Sequence, residues 1–241
     1  MRALLSTECN ISDTVTKMDE IKANIKRVAA ILENVKPSNP FEYGKWRRIS
    51  KSDLTKIAVV RALSPQTRVS SLRSLEYSAD LDELLTDISD DRIEYILRKH
   101  RIRFPKRKVK AVKLVRSIDW VNMIKSLEKF SGRSLVEERE VRIRIMQRTF
   151  GMGLKTVSDF LKDIGFSRHL AVLDSRNLRF LKTVGIAPAN LKASKLSNHR
   201  IYYELEDLEN EIANQLGITV SELDEKIMTY TGTSRELPHR I

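Results

Sequence analysis

Lys155 occupies the position in this sequence that most directly suggests covalent chemistry. It follows Gly151 and Gly153 in the stretch TFGMGLKTVSDFLKDIG, residues 149–165, at the start of a predicted amphipathic helix. The N-terminus of a helix carries roughly half a positive charge, which disfavours an ammonium group there and favours the neutral amine. Because the neutral amine is the reactive form of lysine, we predict that Lys155 is a nucleophile.

The two glycines before this lysine predict a tight turn between two helices, 134–149 and 155–164. Glycine permits positive φ angles and lets a phosphate come close to the backbone. The free amides at the start of the second helix then point at that phosphate. Gly151 and Gly153 are therefore candidate phosphate-contacting residues, although a Gly-x-Gly pattern alone occurs in many unrelated proteins.

The charge of the chain predicts a polyanionic partner. The formal net charge is +12 and the sequence pI is about 9.8. Residues 200–241 contain four basic and nine acidic residues, so they carry −5 and residues 1–199 carry +17. Such an asymmetric basic chain is typical of nucleic-acid-binding proteins, and a highly charged thermophilic surface is the alternative.

Most of the concentrated positive charge lies in the segment RKHRIRFPKRKVKAVKLVRS, residues 98–117. After Pro105, helical periodicity places Lys106, Lys110 and Lys113 along one face. The apolar residues near the opposite face are Val109, Val112, Leu114 and Val115. The basic face indicates a phosphate-contacting surface, with an ordinary solvated face as the alternative.

Several classes of protein do not fit the sequence. Cys9 is the only cysteine and the four histidines are scattered, so we expect no disulfide within the chain and no metal site built from side chains. No apolar run approaches the roughly 18 residues of a transmembrane helix, and the N-terminus does not resemble a signal peptide. We therefore expect a cytoplasmic, nucleoid-associated protein.

Helical periodicity extends along most of the chain, which predicts an all-α fold. The predicted helices are 12–35, 51–63, 81–87, 89–99, 106–117, 119–130, 134–149, 155–164, 175–184, 200–216 and 219–230. The run LAVLD, residues 170–174, could form a strand, but no partner strand is evident. The aromatic residues Trp46, Phe104, Trp120, Phe150, Phe160 and Phe166 are expected in the core, and Phe104 among them lies beside the basic cluster. Met152 is expected to pack under the turn.

Three stretches resemble the helix-hairpin-helix DNA glycosylases. FGMGLKTVSDFL resembles their hairpin, in which the lysine of the bifunctional members is the nucleophile and corresponds to Lys155. LAVLDSRNL supplies Asp174, 19 residues later, where those enzymes carry an essential aspartate. RALSPQTRVSS resembles the segment whose amide side chain fills the gap left by an extruded base, which corresponds to Gln66.

Within that superfamily the chain most resembles the second, mostly archaeal family of 8-oxoguanine DNA glycosylases. LRKHRIRFPKRKVKAV, KTVSDFLKDIG and SELDEKIMTYTG carry this resemblance, which extends from about residue 60 to 232. It implies two helical subdomains with the hairpin flanking a cleft, in one unit of residues 1–241. The expected segments are an N-terminal extension (1–40), a subdomain with the plug loop and basic segment (50–130), the hairpin and catalytic segment (134–185) and acidic C-terminal helices (199–241).

The resemblance also implies a mechanism for excising an oxidised purine, most simply 8-oxoguanine, from double-stranded DNA. Gln66, with Arg103 or Lys106, would stabilise the gap left by the extruded base. Lys155 would displace the base and form a Schiff base that permits β-elimination, and Asp174 would stabilise positive charge on the sugar. The hairpin glycines and Lys110 would contact DNA. The implied enzyme is a monomer without a cofactor, although a monovalent cation at the hairpin is compatible with the pattern.

Other functions remain compatible with the sequence. The hairpin could bind DNA without chemistry, and the acidic C-terminal region could make the protein a helical adaptor. The excised base could also differ, because Asp174-Ser175-Arg176 replaces the family's Asp-Arg-His. For single residues, Lys155 could be simply exposed, Asp174 could cap a helix and Gln66 could be a turn residue.

Overall fold

The computed structural model describes residues 11–37 and 40–233, with side chains at 19–37 and 40–232. All regular elements within these residues are helices, which confirms the all-α prediction. The run 170–174 is extended chain that pairs with no strand in the described part. Cys9 and the tail after residue 233 lie outside the described residues. None of the described helices combines the length and apolar character needed to cross a membrane.

Twelve α-helices follow one another along the described residues. They are α1 (Ile11–Glu33), α2 (Lys51–Leu63), α3 (Val69–Glu76), α4 (Ala79–Leu84), α5 (Asp90–Lys99), α6 (Pro105–Arg116), α7 (Trp120–Leu127), α8 (Leu135–Arg148), α9 (Leu154–Asp163), α10 (Ser175–Thr183), α11 (His199–Leu216) and α12 (Val220–Thr233). Short 3₁₀ helices span Lys45–Arg47, Glu128–Phe130 and Ala193–Ser197. The predicted helix 119–130 therefore ends in a 3₁₀ turn.

Helix α3 was not predicted, and its sequence explains why. VSSLRSLE buries only Leu72 and Leu75 among its apolar residues, while Val69 is 61% exposed. Two buried leucines give too short a periodic signal to identify a helix. Arg68 precedes the helix without a side-chain capping bond, so the usual start signal is also missing.

The first compact unit combines two separate parts of the chain, residues 1–41 and 171–241 as far as they are described. In it α1 packs against α11, and α10 packs against α12. Lys226 Nζ donates to the carbonyls of Leu32 (3.0 Å), Glu33 (3.1 Å) and Val35 (2.6 Å) at the end of α1. The N-terminal helix is thus an integral part of this unit.

The second compact unit spans Glu42–Leu170 and contains α2 to α9. Its core includes Trp120 and Phe160, whose ring centroids are 4.8 Å apart, and Trp46 and Phe166, at 5.8 Å. These four aromatic residues are buried, as predicted. Phe104 is 51% exposed, so its placement in the core was wrong.

Glu138, in the first turn of α8, holds the chain that follows α9. It is fully buried. Its carboxylate accepts hydrogen bonds from Gly132 N (2.8 Å), Ser167 Oγ (2.5 Å), Arg168 N (3.0 Å) and His169 N (2.8 Å). This carboxylate therefore connects the first turn of α8 to the chain that follows α9, and the hairpin lies between these two points in the sequence.

We expect Glu138→Ala to lower the free energy of unfolding by about 3 kcal/mol, because it leaves three partly buried backbone amides and the buried Ser167 hydroxyl without this acceptor. Glu140→Ala is the matched control on the same helix. Its carboxylate is half exposed and forms an ion pair with the equally exposed Arg144, so the expected change is below about 0.5 kcal/mol. Urea unfolding of both variants measures the difference, and equal effects would contradict a supporting role for Glu138.

Candidate nucleic-acid interface and active site

The hairpin between α8 and α9 has the geometry expected for contact with a phosphate. Gly151 has φ +82°, which favours glycine, whereas Gly153 has an ordinary φ of −91°. A side chain added at Gly153 would meet nothing within 4 Å, so glycine leaves open space there. Gly153 precedes α9 without a side-chain cap, which leaves the first amides of α9 available to an anion. Met152 is buried under the turn, as predicted.

Lys155 lies in the first turn of α9, as predicted, but it has a partner that the sequence analysis missed. Its Nζ atom is 2.6 Å from Asp159 Oδ2, and its side chain is 35% exposed. The Lys-x-x-x-Asp spacing places both side chains on the same helix face, and this was the available signal. Lys155 therefore forms an ion pair with a carboxylate of its own helix.

Asp159 is buried and also contacts Arg61 of α2, whose Nη1 atom lies 3.0 Å from Asp159 Oδ2. Burial raises the pKa of Asp159, but the charges of Arg61 and Lys155 outweigh it and the net shift is downward. Asp163, one turn further, also binds Arg61. Burial raises the pKa of Asp163 to about 6. Arg61 therefore links the carboxylate that contacts Lys155 to a second carboxylate.

Burial also acts on Arg61 itself and would lower its pKa. The nearby carboxylates of Asp159 and Asp163 outweigh that effect, so the pKa of Arg61 is raised. Arg61 is therefore a permanent positive charge two residues before the end of α2.

Gln66 is exposed in the loop between α2 and α3. Its φ of +58° is uncommon for a residue with a side chain. Thr67 N donates to Ser64 O (3.0 Å), which closes a turn around Pro65 and Gln66. The loop thus presents the Gln66 side chain to solvent in a defined conformation, as a residue that enters a duplex requires.

Arg103 is exposed and lines a cavity of about 350 Å³. The cavity's other lining residues are Arg68, Ser70, Ser71 and Arg101. Three guanidinium groups around one cavity favour the binding of an anion. The neighbouring Arg101 and Phe104 both have positive φ angles, and Phe104 projects from the surface.

Helix α6 presents the predicted basic face, with Lys106, Lys110 and Lys113 exposed. Lys110 Nζ lies 4.9 Å from the centroid of the Phe150 ring, which places this lysine beside the hairpin. Lys113 forms an ion pair with Asp90 (2.8 Å). The apolar face is as predicted except at Leu114, which is 38% exposed.

Lys108 of the same helix is buried, and periodicity alone gave no signal for it. Its ammonium group contacts the loop that carries Gln66. Arg61 and Lys108 are therefore two basic residues of functional interest that sequence reasoning missed, because each has its partners far away in the chain.

Asp174 is the N-cap of α10. Its Oδ1 atom accepts hydrogen bonds from Arg176 N (2.7 Å) and Asn177 N (3.0 Å). The capping interaction considered from the sequence is therefore present. Asp174 belongs to the unit that contains α10, whereas Lys155, Gln66, Arg103, Lys106, Lys110 and the hairpin glycines all belong to the unit Glu42–Leu170.

The described residues contain no group of three or more histidine, cysteine, aspartate or glutamate side chains arranged to hold a metal ion.

Comparison with known proteins identifies relatives over most of the chain. A relative from Sulfurisphaera tokodaii, an 8-oxoguanine DNA glycosylase/AP lyase, is 29% identical over 208 residues, which cover 85% of this chain and 92% of the relative. The protein of the same name from Metallosphaera sedula is 28% identical over 156 residues, covering 65% and 70%.

Solved structures show the same fold at lower identity. The Methanocaldococcus jannaschii 8-oxoguanine glycosylase/lyase in complex with a 15mer DNA containing 8-oxoguanine matches with a TM-score of 0.63 and 18% identity, covering 92% of this chain and all of that one. The 8-oxoguanine DNA glycosylase of Thermotoga maritima matches with a TM-score of 0.60 and 16% identity, covering 92% and 97%.

The family model for 8-oxoguanine DNA glycosylase, of the helix-hairpin-helix type, matches residues 45–218. This range includes the loop of Gln66, the basic helix α6, the hairpin and Asp174. The chain therefore belongs to the helix-hairpin-helix family of 8-oxoguanine DNA glycosylases.

Proposed function

We propose that this protein removes 8-oxoguanine from double-stranded DNA and then cleaves the strand at the resulting abasic site, with Lys155 as the nucleophile. The observation that carries the proposal is the position of Lys155, two residues after an open glycine hairpin at the start of α9, in a chain of this family. The names of the two archaeal relatives agree with it.

Binding begins with the phosphates and ends with an extruded base. The basic face of α6 and the free amides at the hairpin contact the DNA backbone. A base inside a duplex shields its sugar from attack, so the damaged nucleotide must leave the stack at a cost of a few kcal/mol. Gln66 enters the gap, and Arg103 and Lys106 stabilise the opened duplex.

The chemical step requires a neutral amine. Lys155 Nζ lies 2.6 Å from Asp159 Oδ2, so this contact must open and the ammonium proton must pass to water, which reaches the partly exposed side chain, before the attack. The nitrogen then bonds to C1′ of the sugar, and the bond from C1′ to the base breaks with its electron pair leaving on the base. Asp174 stabilises the positive charge that develops on the sugar. The nitrogen then loses a proton, and the bond from C1′ to the ring oxygen O4′ breaks with its electron pair leaving on that oxygen, which takes up a proton. The C=N bond formed in this way is the Schiff base, which permits strand cleavage by β-elimination.

All groups in this scheme are side chains, so no cofactor takes part, and a monovalent cation at the hairpin would contribute to phosphate binding alone. Because the substrate is DNA, we infer that the protein acts in the cytoplasm on the nucleoid.

Borohydride trapping tests the proposal. A reduced Schiff base becomes a stable covalent adduct, so we expect adducts of the protein with a duplex containing 8-oxoguanine opposite cytosine and with one containing an abasic site. An adduct on the abasic duplex alone would refute 8-oxoguanine as the substrate and retain the lyase. If neither adduct forms but the protein still binds DNA in a salt-dependent way, the protein would be a DNA-binding module without this chemistry.

A further inference from the structure

Lys108 is a buried lysine that makes three contacts with one loop. Its Nζ atom donates to Leu63 O (2.6 Å), Pro65 O (2.9 Å) and Thr67 Oγ1 (2.6 Å). An ammonium group has three hydrogens, so all of its donor capacity is directed at this stretch of chain. The residue between the last two acceptors is Gln66.

Burying the ammonium group of Lys108 costs desolvation free energy, so this lysine does not act as an ordinary solvated surface charge. The residue is 6% exposed, while the other lysines of α6 are exposed. Burial, with a smaller contribution from the charge of Arg103, lowers the pKa of Lys108 to about 8. A charge placed in so unfavourable a position needs compensating contacts, and the described compensation comes from the loop alone.

The contacted loop needs such support for two reasons. Leu63 is the last residue of α2, so its carbonyl lacks a partner within the helix, and a lysine is well suited to satisfy it. Gln66 has a left-handed backbone conformation, which is unfavourable for a residue with a Cβ atom. Lys108 binds the carbonyl before Gln66 and the hydroxyl after it, and so fixes both flanks of the strained residue.

We propose that Lys108 is a positioning residue for base excision, whose buried ammonium group holds the 63–67 loop so that the Gln66 side chain enters the duplex. The inference rests on the proposed function and adds a residue to it. Lys226 shows the same arrangement in the other unit, where its ammonium binds three carbonyls at the end of α1.

This role predicts different effects on the two reactions of the enzyme. Excision requires that a stacked base be displaced and its place filled. At an abasic site no base has to be displaced, so the cost of opening the duplex is lower and Gln66 contributes less. Loss of loop positioning should therefore slow excision far more than strand cleavage at a preformed abasic site.

The test compares Lys108→Met with wild type in the full chain, using single-turnover rates on an 8-oxoguanine duplex and on the matching abasic duplex. We expect the excision rate to fall at least about tenfold and abasic-site cleavage to change less than about threefold. Lys125→Met, an exposed lysine of α7, is the matched control and should change neither rate. Equal losses on both duplexes would assign Lys108 to general folding and overturn the proposal, as would unchanged rates.

Two further variants keep the inference testable if Lys108→Met does not fold. Thr67→Val removes one acceptor at nearly constant volume and should produce the same selective loss of excision, smaller in size. Gln66→Ala should match Lys108→Met, and the double variant should lose no more than either single one, because both act through one loop. Additive losses would overturn the proposal. Wild type without any trapped adduct would instead refute the proposed function.

Discussion

Replacing Lys155 with glutamine is expected to abolish the covalent adduct and to lower the strand-cleavage rate at least about 1,000-fold, while DNA binding persists. An amide nitrogen is not nucleophilic and cannot form a Schiff base. The glutamine side chain can still donate to Asp159, and Arg61 continues to bind that carboxylate, so the fold of α9 should be retained. Borohydride trapping and single-turnover cleavage of an abasic duplex measure the effect.

Two controls separate nucleophilicity from charge. Lys155→Arg keeps the positive charge beside Asp159 but forms no Schiff base, so it should be as inactive as the glutamine variant. Lys125→Gln removes an exposed charge from the same unit and should retain full activity. A trapped adduct in either Lys155 variant would show that another amine is the nucleophile, and the mechanism proposed above would then be wrong.

The parts of the fold that periodicity predicts are the long amphipathic helices. The boundaries of α2 agree with the prediction, and those of α8 and α9 differ from it by one residue. Helix α3 was missed because only two of its apolar side chains are buried. Leu114 was assigned to the wrong face because a helix of twelve residues has room for exposed apolar positions, which pattern alone does not distinguish.

The candidate site was predictable where short motifs carry it and not where distant segments meet. Lys155 and the hairpin are contiguous in sequence, and a local pattern was enough to identify them. Arg61 reaches Asp159 across 98 residues, and Lys108 reaches Pro65 across 43. Such pairings depend on how α2 packs against α6 and α9. The periodicity of residues within one helix gives no information about contacts with a distant helix.

The C-terminal end of α2 contacts both the carboxylate beside Lys155 and the buried ammonium group of Lys108. Arg61 binds the carboxylate that contacts Lys155, and two residues later the carbonyl of Leu63 is the first of the acceptors that Lys108 binds. In the proposed mechanism, one short segment thus supports both the amine of Lys155 and the amide side chain of Gln66. A disturbance at this helix end should affect excision and cleavage together, whereas a change at Lys108 should affect mainly excision.

Replacing Asp174 with asparagine is expected to lower the excision rate about 100-fold or more, because the variant loses the negative charge that stabilises positive charge on the sugar. The fold should be preserved, since asparagine caps helices as well as aspartate does. Asn198 demonstrates this in the same unit, where its Oδ1 atom accepts from Arg200 N (3.0 Å) and Ile201 N (3.3 Å) at the start of α11. We therefore expect the free energy of unfolding to change by less than about 1 kcal/mol.

The control for this substitution is Asp119→Asn, which makes the same change at the N-cap of α7, where the carboxylate accepts from Asn122 N (3.3 Å). It should leave both stability and excision nearly unchanged. Single-turnover excision and urea unfolding of the two variants together separate catalysis from capping. A large loss of stability in Asp174→Asn would assign this carboxylate mainly to structure. Full activity with full stability would remove it from the mechanism, because the negative charge would then make no difference to the transition state.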